Sequence, residues 1–160
     1  YPLRSVPAGC LLLTCGVDVQ GDRLAIKIVG HGRAQTTWML DWVELPGDPN
    51  RPEVWQALDD YLLMPLVNQR GMPLRITLTA IDSGYLPDTV LAFVRPRQRR
   101  GVIATKGASQ YGRPVIAGRP SKVDYTWRGQ TIRHGAEIWL IGADTAKLVL
   151  YSRLEADRRP

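Results

Sequence analysis

The sequence predicts a mixed α/β domain in which helices flank a single sheet. Two observations support this fold class: three consecutive runs of strand-forming residues open the chain, and shorter apolar runs then alternate with helical patterns. The 160 residues fit one domain, and 44% hydrophobic with 22% charged residues is the balance of a globular protein. A chain of this length can bury a core without disulfide bonds.

The first third of the chain predicts an antiparallel meander. Residues 11–19 form an apolar run rich in strand formers, and residues 23–30 alternate apolar with polar positions. Residues 20–22 make the turn between these two strands. A third strand, with two tryptophans, covers residues 36–45, and Pro46 begins the segment that ends it.

Helical spacing begins after this break. Pro52 suits the first turn of a helix that runs to about Leu63, because apolar residues recur there at three- and four-residue intervals. We expect Asn50 or Asp48 to cap this helix and Pro65 to end it.

The remainder of the chain alternates strands with helices. In chain order it predicts a strand at 74–81, a helix at 87–94, a strand at 102–106, a long surface loop at 107–121, a small hairpin at 125–133, a strand at 137–141 and a helix from Asp144 or Thr145. Three antiparallel strands followed by helix-linked strands is the element order of the RNase H-like fold, which we therefore predict.

The charge balance favours an anionic partner. The formal net charge is +6 and the isoelectric point is about 9.7. Lysine and arginine bind phosphate backbones by releasing condensed counterions, whereas a purely solubilising charge is the alternative. The candidate DNA contacts lie in and around the predicted loop and are Lys106, Arg113, Arg119 and Lys122.

The sequence argues against membrane, zinc and ATPase functions. No apolar run approaches the roughly 20 residues that span a bilayer. The two cysteines make neither a disulfide framework nor a zinc-ligand pattern, and Cys15 is expected to pack as a small hydrophobe. No G-x-x-x-x-G-K-[ST] loop is present, so we expect no ATP hydrolysis by this chain alone.

Three aspartates close predicted strands or follow them directly: Asp18, Asp82 and Asp144. Strand ends are where an α/β sheet forms a ligand crevice, and carboxylates that meet there repel one another unless a cation neutralises them. Hard oxygen ligands suit Mg²⁺ or Mn²⁺, and two such ions about 4 Å apart can promote phosphodiester hydrolysis. The three aspartates are therefore the candidate catalytic and metal-binding residues.

Each of these residues also has a structural interpretation. Asp144 could cap the last helix, and Asp82 could belong to a turn, whereas Asp18 lies between two valines in an apolar strand and is costly to bury without a partner. Lys147, one helical turn after Asp144, is a candidate contact for phosphate or the transition state.

Four motifs resemble one known family. They are the strand at 11–15 running into 16–20 (GVDVQ), the segment 80–84 (AIDSG), the segment 104–107 (ATKG) and the segment 141–147 (IGADTAK). In this order, and spread over nearly the whole chain, they resemble the GpA family of phage terminase large subunits.

The resemblance implies a metal-dependent endonuclease domain of a DNA-packaging motor. Such a domain would cut concatemeric double-stranded DNA with Asp18, Asp82 and Asp144 holding Mg²⁺ or Mn²⁺. It implies an N-terminal ATPase domain, a small terminase subunit and a capsid portal as partners, in the cytoplasm of the infected bacterium. We accordingly expect residues 1–160 to be one domain, with a core at about 9–154, taken from a longer chain.

Two alternatives remain open. The first is another RNase H-like nuclease, such as a resolvase or a transposase core, which would use the same carboxylates. The second is a non-catalytic basic DNA-binding module, in which the aspartates serve only as caps and turns.

Overall fold

The fold is built on one mixed sheet that begins with an antiparallel meander. The computed structural model describes residues 3–116 and 118–158. β1 (Leu12–Val19), β2 (Arg23–His31) and β3 (Thr37–Pro46) pair in sequence, each antiparallel to the one before. The predicted three-stranded meander is confirmed, and each of its six strand ends lies within one residue of the predicted position.

Helices and longer connections join the remaining strands. They are α1 (Pro52–Leu63), β4 (Leu66–Val67), β5 (Pro73–Leu74), β6 (Ile76–Asp82), α2 (Pro87–Val94), β7 (Val102–Gly107), β8 (Ser121–Trp127), β9 (Gln130–Ile141) and α3 (Ala143–Asp157). Short 3₁₀ segments at Arg33–Gln35 and Arg95–Arg100 follow β2 and α2.

The strand order places the meander on one side and the parallel strands in the middle. Across the described part of the sheet the order is β3-β2-β1-β6-β7-β9-β8, and β4 with β5 forms a separate ribbon. β1, β6, β7 and β9 are mutually parallel, while β8 returns antiparallel to β9. This mixed α/β arrangement confirms the predicted fold class and is compatible with an RNase H-like fold.

One face of the sheet is buried and the other is largely open. Leu13, Cys15 and Val17 of β1 are at most 4% exposed and belong to a core that includes Val54 and Leu58 of α1. Burial of each large apolar side chain stabilises the fold by about 1.5–3 kcal/mol. Because side chains alternate along a strand, the residues between these positions face the other way, and we call that side the open face.

Proline residues set the helix boundaries as expected, but the predicted cap of α1 is wrong. Arg51 occupies the N-cap position, and no side chain caps the helix. Asp48 Oδ1 instead accepts hydrogen bonds from the backbone N–H and the side-chain amide of Asn50, at 2.9 and 2.8 Å. Because α1 begins only at Pro52, both residues lie too early to reach its first turn and close a tight turn of their own.

The last strand is longer than the sequence predicts. The expected hairpin around Arg128 and Gly129 is confirmed, and both residues have positive φ angles of 49° and 76°. However, the separate strand predicted at 137–141 is the end of β9, which starts at the hairpin turn. The residues at 133–135 interrupt the apolar pattern without ending the strand, because β9 pairs with β8 both before and after them, and the register between the two strands shifts across this segment.

Val6 anchors the N-terminal segment to the core, and Cys15 is buried within it. Val6 is 1% exposed and its carbonyl accepts a hydrogen bond from the Gln69 N–H at 3.0 Å, so the core begins before residue 9. Cys15 is buried in the core, which confirms that it packs as a small hydrophobe, and this burial raises the pKa of its thiol to about 12. In the described segments, the helices are all too short or too polar to cross a membrane.

A buried carboxylate on β3 depends on a hydroxyl from α1. Asp41 is 2% exposed, and the Tyr61 hydroxyl donates to its Oδ2 at 2.6 Å, while Arg4 Nε lies 3.7 Å from the same oxygen. Burial, and then this carboxylate, raises the pKa of the Tyr61 hydroxyl well above its usual range. Tyr61 therefore remains a hydrogen-bond donor throughout the physiological pH range.

We predict that Tyr61→Phe lowers the free energy of unfolding by about 1–3 kcal/mol, because it leaves a buried charged acceptor without its donor. Urea unfolding monitored by circular dichroism measures the change. Tyr111→Phe removes the same atom from a side chain that is 81% exposed and should leave stability unchanged. Equal stability of Tyr61→Phe and the unmodified chain would contradict the prediction.

Candidate active site

Two of the three predicted aspartates lie side by side at the carboxyl edge of the parallel strands. β1 and β6 are neighbours, and Val17 pairs with Ile81, so the next residues, Asp18 and Asp82, come level with each other. Neighbouring strands are about 4.8 Å apart. The side chains of Val17 and Ile81 point into the core, so those of Asp18 and Asp82, the next residues, lie on the open face.

Short hydrogen bonds orient each carboxylate while leaving one oxygen free. Asp18 Oδ2 accepts from the Gln20 side-chain amide at 2.8 Å, and Asp82 Oδ1 accepts from the Gly84 N–H at 3.2 Å. The second oxygen of each carboxylate accepts no hydrogen bond from any residue that the structure describes. Two hard oxygen donors are thus available for a cation on the open face.

The turn after β6 is fixed to the neighbouring strand. Ser83 is 1% exposed, and both its N–H and its hydroxyl donate to the Thr105 carbonyl, at 2.8 and 2.9 Å. The Thr105 hydroxyl donates to the Ile81 carbonyl at 3.2 Å. These hydrogen bonds hold the end of β6, and therefore the Asp82 carboxylate, in place. They explain why the polar residue Ser83 follows Asp82.

A cleft of about 380 Å³ opens above these carboxylates. It is lined by Gly16, Val17, Asp18, Gln20, Ala25, Lys27, Trp42, Ala80, Asp82 and Thr105. Sequence reasoning missed Lys27 and Trp42 as site residues. The signal for Lys27 was present, since strand alternation already placed it opposite the apolar face of β2.

Asp144 is at the same edge of the sheet, but it is engaged elsewhere. It lies in the first turn of α3, and its Oδ2 accepts a hydrogen bond from the Gly112 N–H at 2.7 Å. That N–H holds the pKa of the Asp144 carboxyl below its usual value. Gly142 is the N-cap residue and no side chain caps α3, so Asp144 is an anchor for the preceding loop.

The three aspartates do not form a preassembled cluster. Asp144 follows β9, and one strand, β7, lies between β9 and β6, which carries Asp82. Within residues 3–116 and 118–158 no three His, Cys, Asp or Glu side chains come together as a metal site. The three-aspartate metal centre stays a prediction, whereas the adjacency of Asp18 and Asp82 is a feature of the fold.

The described residues of the loop between β7 and β8, 108–116 and 118–120, form no helix or strand, as predicted, yet the loop is docked onto the start of α3. The Ala108 N–H donates to the Ile141 carbonyl at 2.9 Å, and the Gly142 N–H donates to the Val115 carbonyl at 3.2 Å. Any side chain at position 142 would collide with the carbonyl oxygens of Arg113 and Pro114. A glycine is needed there because two backbone segments touch.

The predicted basic residues are spread over the surface around this edge. Lys106, the penultimate residue of β7, follows the alternation of Val102 and Ala104, which places it on the helix-covered side of the sheet, away from Asp82. Lys122 is the second residue of β8 and pairs with Glu137. The remaining predicted contacts are partly or fully exposed and lie in the docked loop or on α3: Arg113, Arg119 and Lys147.

A mixed sheet compatible with an RNase H-like fold, with two carboxylates side by side at the carboxyl ends of its parallel strands, is the arrangement expected of a nuclease-type α/β domain. The comparisons with known proteins agree. The family model described as terminase large subunit gpA, endonuclease domain, matches residues 1–160, and the chain belongs to this family.

Two curated relatives extend the comparison. The chain is 28% identical over 158 residues to "Terminase, large subunit" of Enterobacteria phage P21, covering 98% of this chain and 23% of that protein. It is 29% identical over 150 residues to "Terminase, large subunit" of Escherichia phage lambda, covering 92% of this chain and 22% of that protein. The chain thus spans less than a quarter of the length of these relatives. No solved structure matches the chain.

We predict that Asp144→Ala accelerates chymotrypsin cleavage after Tyr111. The Gly112 N–H loses its acceptor, so the docked loop opens more often, and the rate of cleavage rises with the population of the open form. Asp22→Ala, which removes a carboxylate from the β1–β2 turn, is the matched control and should not change the rate. Identical cleavage of the two variants would show that Asp144 does not anchor the loop.

Proposed function

We propose that this chain is a divalent-metal-dependent DNA endonuclease domain and that Asp18 and Asp82 form the centre of its active site. The observation that carries the proposal is the level pairing of these two carboxylates on the open face, each with one oxygen free. Two carboxylates so close repel each other, and a hard cation such as Mg²⁺ or Mn²⁺ relieves that repulsion.

The donor set fits such an ion in its chemistry. Carboxylate oxygens of Asp18 and Asp82 would hold it, and the Gln20 amide and the Gly84 N–H would keep each carboxylate oriented. We propose that Asp144 completes the set after it releases Gly112. A divalent ion bound there would supply Lewis acidity to activate an attacking water or to stabilise the leaving oxygen, and a pair of ions would serve both roles.

The surrounding residues would bind and orient the substrate. The net charge of +6 attracts phosphates, so the DNA backbone can approach a cleft whose own carboxylates are negative. Lys147 follows Asp144 by three residues on α3 and is proposed to contact phosphate near the bond that is cut. Arg113, Arg119 and Lys122 are proposed to contact the flanking double-stranded DNA.

The role in the whole protein is a proposal of the same kind. The chain covers 22–23% of relatives named as terminase large subunits, which leaves room for an ATPase domain on the same polypeptide. We propose that the complete protein cuts concatemeric DNA during genome packaging in the cytoplasm of the infected bacterium. Its proposed partners are a small terminase subunit and the capsid portal.

The central prediction concerns Asp18→Asn and Asp82→Asn. Each change keeps the side-chain shape but removes a negative charge from the proposed site, so Mn²⁺-dependent plasmid nicking should fall to background. Thermal unfolding without metal should be unchanged or shifted upward, because repulsion between the carboxylates is relieved. Asp60→Asn, on α1 and hydrogen-bonded to Gln56, is the control and should keep full activity.

The outcomes separate the competing functions. Full nicking by Asp18→Asn or Asp82→Asn would overturn the mechanism. DNA binding without any cleavage by the unmodified chain in Mn²⁺ would favour the non-catalytic module. Strand transfer or a preference for junctions would favour a transposase or resolvase core.

Asp144→Asn tests the third position separately. Lost nicking with unchanged stability supports a metal-binding role, whereas full nicking with a lower melting temperature would leave Asp144 only its role as the loop anchor. In that case Asp88 is the next carboxylate to test, although its Oδ1 already accepts the Thr126 N–H at 3.1 Å.

A further prediction concerns the glycine beneath Asp82. A Cβ atom at position 84 would lie 3.2 Å from Asp82 Oδ2, so Gly84→Ala pushes the carboxylate aside by a few tenths of an ångström. Because metal sites are sensitive to ligand orientation, we expect the Mn²⁺ concentration for half-maximal nicking to rise by about 10-fold or more. Gly21→Ala, where a Cβ meets nothing within 4 Å, should leave that concentration unchanged. An unchanged value in Gly84→Ala would contradict the predicted orientation.

A further inference from the structure

The cleft continues past the aspartates toward β2 and β3 over a floor of small residues. Gly16, Ala25 and Ala80 lie on three neighbouring strands, and all of them line the cleft. A Cβ atom added to Gly16 would meet nothing within 4 Å. The space above Gly16 is therefore open and lets a ligand approach the sheet closely there.

A lysine and a tryptophan form the outer rim of this floor. Lys27 pairs with Gly16 on one side and with Trp42 on the other, so the three lie in one row across β1, β2 and β3. Ala25 lies two residues before Lys27 on β2 and pairs with Asp18 of β1. From the strand spacings, the Cα atoms of Lys27 and Asp18 are roughly 8 Å apart.

Lys27 is the one cationic residue among those that line the cleft. It has no carboxylate partner in the described parts of the chain. Arg23, on the same strand, is already engaged by Asp22 at 3.2 Å and by Glu44 at 3.5 Å. No ion pair or hydrogen bond joins the Lys27 ammonium to any described residue, and the side chain is exposed. Its charge is thus available for a phosphate.

Trp42 presents an apolar ring on the same rim. Its side chain is 51% exposed, whereas Trp38 on the same strand packs against the core. An exposed indole beside an unpaired lysine offers both groups that a nucleotide needs: a cation for the phosphate and a flat surface for the base.

We propose that this rim binds the nucleotide next to the bond that is cut, with Lys27 contacting its phosphate and Trp42 stacking on its unpaired base. The strand then runs over the floor of Gly16, Ala25 and Ala80 into the paired aspartates. The position of the cut rests on the proposed function, but binding of the nucleotide does not. One strand is therefore locally separated from its complement when it occupies the cleft.

Binding is measured without metal and without cleavage, in the Asp18→Asn/Asp82→Asn background, by anisotropy of a labelled single-stranded oligonucleotide and of the same sequence as a duplex. Removal of both carboxylate charges eliminates their repulsion of the phosphates. Lys27→Ala should weaken single-strand binding by roughly tenfold and reduce the slope of log K against log salt by about 0.7. Trp42→Ala should weaken it by about 5-fold or more at every salt concentration.

Matched controls remove the same groups elsewhere. Arg70→Ala deletes an exposed cation from the β4–β5 turn, and Trp127→Ala deletes an indole that is 40% exposed at the β8–β9 hairpin. Both should bind like the background chain. If Lys27→Ala and Trp42→Ala behave like these controls, the proposal is wrong. Equal losses for single strand and duplex would overturn the stacking of an unpaired base.

Gly16→Val tests the floor without changing any charge. A β-branched residue suits a strand, and its Cβ has open space, so the fold and the melting temperature should be retained. Its side chain nevertheless fills the cleft, so binding should fall more than in Gly16→Ala. Binding unchanged by either substitution, in a folded chain, would overturn the proposal.

Cleavage by the otherwise unmodified chain separates this inference from the proposed function. We expect Lys27→Ala and Trp42→Ala to raise KM with little change in kcat, in contrast to the lost kcat of Asp18→Asn. Loss of kcat at unchanged KM would overturn the binding role. If Asp18→Asn cuts normally, the proposed mechanism fails while the binding measurements still decide the role of the rim.

Discussion

The register of the parallel pair β1–β6 determines whether this domain has an acidic site. The pairing shifts within the sheet, and Thr77 is the residue of β6 that is skipped. Because side chains alternate, one extra residue reverses the face that each later residue of the strand occupies. Without this shift, Ile81 would lie on the open face and Asp82 would point into the core, away from Asp18.

A close backbone contact supports the irregular pairing at this point. Gly101 precedes β7 with a φ angle of 78°, and its carbonyl accepts the Thr79 N–H at 2.9 Å. A side chain at Gly101 would collide with the Thr77 carbonyl. The glycine therefore permits the shifted strand, and the shifted strand places the carboxylate. The position of Asp82 at the carboxyl end of β6 thus depends on packing at the amino end of the same strand.

The open face contrasts with the rest of the chain in charge. The protein carries a net +6, yet the cleft contains two carboxylates and one lysine. The net positive charge attracts DNA at long range, whereas the aspartates repel its phosphates locally. A cation bound at the aspartates would convert this local repulsion into attraction. Asp144 adds a further constraint, because its carboxylate holds the Arg113-containing loop through Gly112. If Asp144 also binds a cation, as we propose, occupancy of the site and docking of this loop would be coupled through one side chain.

Local patterns in the sequence determined most of the elements and the identity of the key carboxylates. Alternation and apolar runs predicted β1, β2 and β3, and proline positions predicted where α1 and α2 begin, since these features depend on neighbours in the chain. The same patterns predicted that Asp18 and Asp82 end strands.

Contacts between distant residues decided the remainder. The predicted cap of α1 is wrong because Asp48 and Asn50 lie before the N-cap position, Arg51, and bond to each other. The length of β9 was missed because β9 pairs with β8 both before and after the residues at 133–135. Only the tertiary structure brought Lys27 and Trp42 beside Asp18 and joined Asp144 to Gly112. The order and register of strands far apart in the chain set these contacts, and no short stretch of sequence specifies them.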